Sequence, residues 1–362
     1  MQSDVTRVAV LGATGSIGRQ ALEVIASHPT LAVCALASGS QPLDELASGL
    51  EVAHAQVGGD LTDVLDASEP DLVLNAVVGF AGVRATLWAL ERGVTLALAN
   101  KESLVAAGDL ALAAWEREGG QLLPVDSEHS AVFQCLEGRS RDSIDSVVLT
   151  ASGGPFRRHS LEELGSVTVE ETLEHPTWSM GPKITVDSAT LANKGLELIE
   201  AHFLFGLPYE KIDVVVHPTS IVHALVRFRD GAALAHLGYP DMRIPISFAL
   251  GHPERREVPV PPLDLASGLT LEFSAPDESR FPLLALARDA GERGGTYPCA
   301  FNAANEVAVD AFLEGRIAFL DIAELVEHAL GRVGGTPAHD LDELVEADAE
   351  ARRLTEGRLA TA

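Results

Sequence analysis

The chain has 362 residues, more than a single hydrophobic core comfortably serves, so two or three domains are expected. Its 26 basic and 53 acidic residues give a formal charge of −27, a surface that repels nucleic acid and anionic membranes. There is no apolar run long enough to span a membrane and no signal-peptide pattern in Met1–Val10. The three distant cysteines Cys34, Cys135 and Cys299 fit reduced, buried thiols in a cytoplasmic protein.

Up to about residue 145, short apolar runs alternate with helical patterns. Arg7–Gly12, Leu31–Ser38, Leu72–Val77, Thr95–Asn100 and Gln121–Asp126 read as buried strands, with helix-period stretches at Ser16–Ser27, Ala81–Glu91 and Glu102–Glu118. That alternation predicts an α/β fold with a Rossmann-like parallel sheet over 1–145. The pattern then changes. Ser146–Ser152 and Asp213–His217 read as strands, and His223–Phe228 with Ala232–Gly238 as a hairpin turning at Arg229-Asp230-Gly231. A long helix is predicted over Ser188–Phe205, closed by Gly206 and Pro208. Residues 146–251 are therefore expected to form a central α+β domain. Val258-Pro259-Val260-Pro261-Pro262 marks a linker within 252–277. Ile322, Leu325, Val326, Ala329 and Leu330 then repeat on one helical face, predicting a C-terminal helical bundle over 278–362.

The string Gly12-Ala13-Thr14-Gly15-Ser16-Ile17-Gly18 sits at the first strand-to-helix turn. There, glycines permit a tight turn and close approach of backbone to a pyrophosphate. The plainer alternative is a tight turn and nothing more. NAD-binding folds usually carry an acid at the end of the second strand; here stand Gly39, Ser40 and Gln41, with nothing to repel a 2′-phosphate, which favours NADP.

Asp126-Ser127-Glu128 ends a predicted strand, where both acids would face one way if the chain stayed extended. Asn193, Lys194 and Glu197 share one face of the long helix. Acids without thiols or clustered histidines point to a hard cation, Mg²⁺ or Mn²⁺; spacing alone does not join Glu197 to the other two. Thr150–Pro155, with Ser152, and Ser188 at the helix start read as a phosphate cradle, although Ser188 fits an N-cap equally well. The irregular stretch 175–182 contains Trp178 and Met180 and reads as a lid, or as a loop whose Trp packs on a neighbouring domain. Lys101 closes the fifth strand, either as a charge for substrate oxygens or as a solvated lysine.

In this order the strings LANKESL, PVDSEHSA, LTASGGPFR, HPTWSMGPKITVDSATLANKGLELIEAHFLFG and VVVHPTSIVHALV resemble those of the 1-deoxy-D-xylulose 5-phosphate reductoisomerase family. The resemblance implies an NADPH- and Mn²⁺- or Mg²⁺-dependent cytoplasmic homodimer acting on a small sugar phosphate in isoprenoid precursor biosynthesis. The carbon skeleton of 1-deoxy-D-xylulose 5-phosphate is rearranged, then reduced to 2-C-methyl-D-erythritol 4-phosphate. It implies that Asp126, Glu128 and Glu197 hold the metal, and that Lys101, Ser127, Glu128, Ser152, His175, Ser188, Asn193, Lys194 and Glu197 meet the substrate. For the cofactor it points to Thr14, Gly15, Ser16, Ile17, Asn100, Glu102 and Gly181. The chain departs from some members at Ser40-Gln41 and from many at Pro182, where those members carry basic residues. A metal-free NAD(P) dehydrogenase and a non-catalytic dinucleotide sensor are the competing readings.

Overall fold

In the computed structural model, which describes residues 5–50, 52–266 and 268–360, the first apolar run folds as β1 (Thr6–Leu11) and the glycine turn leads into α1 (Ser16–Ala26). There follow β2 (Leu31–Ser38), α2 (Asp44–Ala47), β3 (His54–Val57), α3 (Leu61–Ser68), β4 (Leu72–Asn75), α4 (Val83–Glu91), β5 (Thr95–Leu98), α5 (Lys101–Glu118), β6 (Leu122–Pro124) and α6 (Ser127–Leu136). The second half runs β7 (Ile144–Ala151), α7 (Leu161–Leu164), α8 (Val169–Leu173), α9 (Pro182–Thr190), α10 (Ala192–Phe205), β8 (Ile212–Val216), β9 (Val222–Phe228), β10 (Ala233–Leu237) and α11 (Arg243–Gly251). It ends with α12 (Leu283–Arg293), α13 (Tyr297–Leu313), α14 (Asp321–Leu330) and α15 (Leu341–Leu359). No helix among the described residues is long and apolar enough to cross a membrane.

The chain divides into two units: Met1–Ser103, Asp109–Phe133 and Asp241–Pro262 form the first, and Leu104–Gly108, Gln134–Pro240 and Leu263–Ala362 the second. In the first unit six strands lie in the order β3-β2-β1-β4-β5-β6, every pair parallel. The inner strands are near-continuous apolar runs because helices cover both faces. The order reverses between β1 and β4, which opens a crevice at the carboxyl ends of those strands. Sequence reading missed β3 and α3. The strand His54-Ala55-Gln56-Val57 carries two polar residues of four and leaves Val57 half exposed, as suits an edge strand with no second face to bury.

Helix α1 buries Ala21, Leu22, Val24 and Ile25 in a core with Val8 and Val10 of β1. The same core takes Ile246, Ala249 and Leu250 of α11, so this helix packs with the first unit although it follows the central stretch in sequence. The spacing i, i+3, i+4 gives α11 one apolar stripe, and Ile246 and Leu250 each contribute about 1.5–3 kcal/mol by burial.

The second unit is built on a four-stranded sheet, β10-β9-β7-β8, with β8 parallel to β7 and β9 antiparallel to both β7 and β10. The predicted hairpin is β9–β10. Helices α12–α15 supply the expected helical bundle, but they group with this sheet in one unit. Gly195 of α10 explains part of that: a Cβ there would lie 2.5 Å from the Ala287 Cβ of α12, so only glycine lets these helices approach so closely. The predicted Ser188–Phe205 helix is two helices. Leu191 adopts φ 63°, breaking α9 from α10, and Ser188 lies inside α9 and does not cap α10. Neither Gly nor Pro marks that break, so the apolar period runs through it in the sequence.

Gly18 carries a testable consequence of the first turn. A Cβ there would sit 2.4 Å from the Gly12 carbonyl oxygen and 2.6 Å from the Ala13 Cα. Gly18→Ala is expected to lower stability by about 2–3 kcal/mol. Gly357→Ala, in α15 where a Cβ meets nothing within 4 Å, is expected to raise it by about 0.5–1 kcal/mol. Thermal denaturation of both variants measures the contrast.

Candidate active site

The crevice of the first unit holds a cavity of about 640 Å³. Its floor is the glycine turn. Gly12, at φ 77°, has no room for a Cβ, which would lie 2.3 Å from the Ala76 carbonyl oxygen. The N–H groups of Gly12 and Ala13 both donate to the Ala37 carbonyl, at 3.0 and 2.9 Å, tying the turn to the end of β2. At Gly15 a Cβ would meet only the Gly12 oxygen, at 3.3 Å, so glycine there keeps the cavity open. Helix α1 starts at Ser16 and Ile17 without a side-chain cap and without an acid in its first turn, leaving its amide dipole for an anion. Thr14 and Gly15 line the cavity, and so do Gly39, Ser40 and Gln41 after β2. Ser38 closes this loop by donating to the Gln41 carbonyl at 2.5 Å. The lining residues of the loop directly after β2 include no acid, as expected from the sequence; the lining acid Asp60 follows β3.

A second group of residues lies at the carboxyl ends of β5 and β6. Buried Asn100 donates to the carbonyls of Val77 and Gly79 at 2.7 and 2.9 Å, and to Glu102 at 3.1 Å. Ser103 donates to Asn100, and Asn75 donates to the Gly82 carbonyl and to Thr86 at 2.9 Å each. These bonds fix the start of α5, where Lys101 stands. Lys101 is only 5% exposed and its Nζ is 2.5 Å from Asp126 Oδ2, so the alternative of a solvated lysine is excluded. The expected extended geometry of Asp126-Ser127-Glu128 is corrected. β6 stops at Pro124 and α6 begins at Ser127, so Glu128 occupies the first helical turn, where carboxylates are favoured. Its N–H donates to Asp126 Oδ1 at 3.3 Å, and the Ser127 hydroxyl donates to the Glu128 carboxylate. The sequence reading passed over His129, which is wholly buried with Nδ1 3.3 Å from Asp126 Oδ1; its spacing three residues after Asp126 in a helix was the available signal.

In the second unit, the loop after β7 packs on α9. A Cβ on Gly154, at φ 64°, would lie 2.9 Å from the Ala189 Cα and 3.1 Å from the Ser188 carbonyl oxygen, so this glycine seats the Ser152 loop beside Ser188. The His175 Nδ1 accepts from the N–H groups of Thr177 and Trp178 at 3.1 and 2.9 Å, which leaves the proton on Nε2. That Nε2–H donates to Ser152 Oγ at 2.9 Å, and the Gly154 N–H donates to the same oxygen at 3.2 Å. With its lone pairs engaged, the Ser152 hydroxyl has its proton to offer a ligand. On α10 the predicted shared face holds. Asn193 donates to Glu197 Oε1 at 2.5 Å and Lys194 pairs with Oε2, burying Glu197 to 1% exposure with both oxygens bonded. The 174–181 segment has no helix or strand. Trp178 is half-buried with its ring 6.2 Å from that of His223, Met180 is half-buried, and Gly181 caps α9 with Pro182 in its first turn.

Burial holds the His175 imidazole down at a pKa of about 4. The unfolded chain takes up this proton near 6.5. The neutral ring therefore contributes its full stability above about pH 6.5 and loses it as pH falls toward 4. His175→Gln is expected to show a smaller drop in melting temperature between pH 7 and pH 4.5 than the parent chain.

Family models match most of the chain. One described as 1-deoxy-D-xylulose 5-phosphate reductoisomerase matches residues 8–58 and 41–108, its C-terminal domain model matches 122–205, and a DXP reductoisomerase C-terminal domain model matches 237–354. The 1-deoxy-D-xylulose 5-phosphate reductoisomerase of Xanthomonas oryzae pv. oryzae (strain PXO99A) is 50% identical over 389 residues, covering 99% of this chain and 98% of that protein. That of Geobacillus sp. (strain WCH70) is 48% identical over 380 residues, covering 97% and 99%. The solved structure of the Zymomonas mobilis enzyme in complex with NADPH aligns with a TM-score of 0.89 at 41% identity over 99% of this chain and all of that one. A DOX-P reductoisomerase in complex with NADPH, fosmidomycin and magnesium aligns at 0.90 and 38% identity over 98% of each chain. With matches of this identity running end to end in both partners, the chain belongs to the 1-deoxy-D-xylulose 5-phosphate reductoisomerase family.

Proposed function

We propose that this chain rearranges 1-deoxy-D-xylulose 5-phosphate and reduces the product with NADPH to 2-C-methyl-D-erythritol 4-phosphate. The observation that carries the reading is family identity near 50% over nearly the whole chain. The local geometry carries the roles. Thr14, Gly15, Ser16 and Ile17 would hold the pyrophosphate through the uncapped start of α1, and Gly39, Ser40 and Gln41 would border the adenosine ribose. Asn100 shapes the cofactor wall through its own carbonyl bonds, with Glu102 and Gly181 completing the set taken from the resemblance.

Asp126, Glu128 and Glu197 would hold one divalent cation. Their donor set is carboxylate oxygen only, which suits Mg²⁺ or Mn²⁺ better than thiophilic metals. Bound metal supplies Lewis acidity toward substrate oxygens, and NADPH supplies the hydride. The chain's own contribution is orientation. Lys101 and Lys194 each lie against one of the acids, so either can neutralise substrate oxygen close to it. Ser127 and Glu128 present a hydroxyl and a carboxylate from the first turn of α6. Ser152, set by the neutral His175, donates to the substrate. The Ser188 carbonyl accepts from the Leu191 N–H at 3.3 Å, and its hydroxyl, with Asn193, would supply further donors for the phosphate. Trp178 and Met180 lie on the segment that closes over the ligand and excludes water. A metal-free dehydrogenase would have no use for three such acids.

The same reading makes the protein a cytoplasmic homodimer. All three cysteines are free and buried, in keeping with a reducing compartment. Strand β10 is an edge strand, and it leaves Leu234 and Leu237 more than a third exposed, a hazard that a partner copy would remove.

Glu197→Gln is expected to lower metal-dependent NADPH oxidation in the presence of 1-deoxy-D-xylulose 5-phosphate by more than about 100-fold, while NADPH binding by calorimetry stays unchanged. Intact turnover in that variant would remove Glu197 from the metal set. Replacing Leu234 and Leu237 together by Glu is expected to convert a dimer to a monomer in sedimentation velocity; an unchanged mass would exclude β10 as the dimer contact.

A further inference from the structure

Nothing charged in the β2 loop can answer a 2′-phosphate. Ser40 and Gln41 supply neutral groups only, and the surrounding chain carries a formal charge of −27. A phosphate monoester brings roughly −1.5 to −2 charges at neutral pH, which such a surface repels unless a cation stands close by. Among the residues lining the cavity of the first unit there is one cation, Arg84.

Four observations set Arg84 apart. It is exposed, and it makes no hydrogen bond or ion pair with any described residue. It occupies the second residue of α4, an end of the helix where the backbone dipole disfavours positive charge, so local helix energetics do not account for it. Its backbone is fixed, because Asn100 and Asn75 hold the carbonyls of Gly79 and Gly82 immediately before α4. Lastly, the acid in the same lining, Asp60, is turned to its own helix, with Oδ1 accepting from the N–H and the hydroxyl of Thr62 at 3.0 Å each. Hydrogen bonding from Thr62 holds the Asp60 carboxyl below its ordinary range, and the Arg84 charge adds to that, so the guanidinium acts on this rim of the cavity.

We infer that Arg84 is the charge partner of the NADPH 2′-phosphate and sets this chain's preference for NADPH over NADH, with Ser40 and Gln41 adding neutral hydrogen bonds. The inference rests on the dinucleotide reading above and extends it to a residue outside the glycine turn and the β2 loop. A guanidinium suits the role because its planar fork matches phosphate oxygens in pairs. Selectivity here would come from the β4–α4 side of the crevice, where the acid-at-β2 rule does not look.

Calorimetric titration of the full chain with NADPH and with NADH tests this. Arg84→Gln is expected to raise the Kd for NADPH by about tenfold or more while moving that for NADH by less than about twofold. Arg84→Lys should recover part of the loss, and added salt should weaken NADPH binding more in the parent chain than in Arg84→Gln. Equal weakening for both dinucleotides would overturn the inference, because it would reduce Arg84 to a platform for adenine. Unchanged NADPH binding in Arg84→Gln, with loss instead in the Ser40→Ala, Gln41→Ala double variant, would overturn it as well. A parent chain that binds neither dinucleotide would defeat the underlying reading, an outcome distinct from the other two.

Discussion

The site depends on lysines buried beside carboxylates. A carboxylate shielded from water is costly unless a cation or several donors compensate it. Lys101 meets Asp126 in the first unit, and Lys194 with Asn193 meets Glu197 in the second. In a chain of such negative charge these pairs compensate shielded acids at the carboxyl end of β6 and on α10.

The scaffold around the pairs is correspondingly stiff. The Asn75, Thr86, Asn100 and Ser103 side chains satisfy one another and the carbonyls of the β4–α4 turn, closing a buried polar network without an open member in that chain of bonds. On the other unit His175 is gripped at both ring nitrogens, which fixes its tautomer and through it the direction of the Ser152 proton. The histidine is held neutral by burial and fixes the orientation of the Ser152 hydroxyl.

Much of this was legible in the sequence, for identifiable reasons. The parallel sheet was readable because strands buried on both faces must be uniformly apolar, and the glycine turn because Gly12 and Gly18 meet backbone where any Cβ would collide. Asn193, Lys194 and Glu197 were predicted to share a face because helical spacing alone ensures it. Other features lacked a local signal. Leu191 turns left-handed without Gly or Asn, so two helices looked like one and Ser188 looked like a cap. β3 was hidden by its polar edge character. Asp126 and Glu128 were expected on an extended segment, but β6 is only three residues long and helix takes over at Ser127. Arg84 was invisible for another reason: its meaning depends on which side chains share its cavity, and no spacing in the chain encodes that.

The return of α11 to the first unit has a consequence for modularity. The unit that carries the glycine turn is not a contiguous stretch of chain; it is drawn from three segments, and Ile246, Ala249 and Leu250 fill part of its core. A fragment ending near residue 145 would therefore carry a hole where three aliphatic side chains belong, a deficit of several kcal/mol against the roughly 5–15 kcal/mol that holds a typical domain together. The half that reads most like a portable dinucleotide module is for that reason the half that cannot be excised or exchanged by a single splice. Its last segment ends at Pro262, so it becomes self-sufficient only after about seven-tenths of the chain has been made.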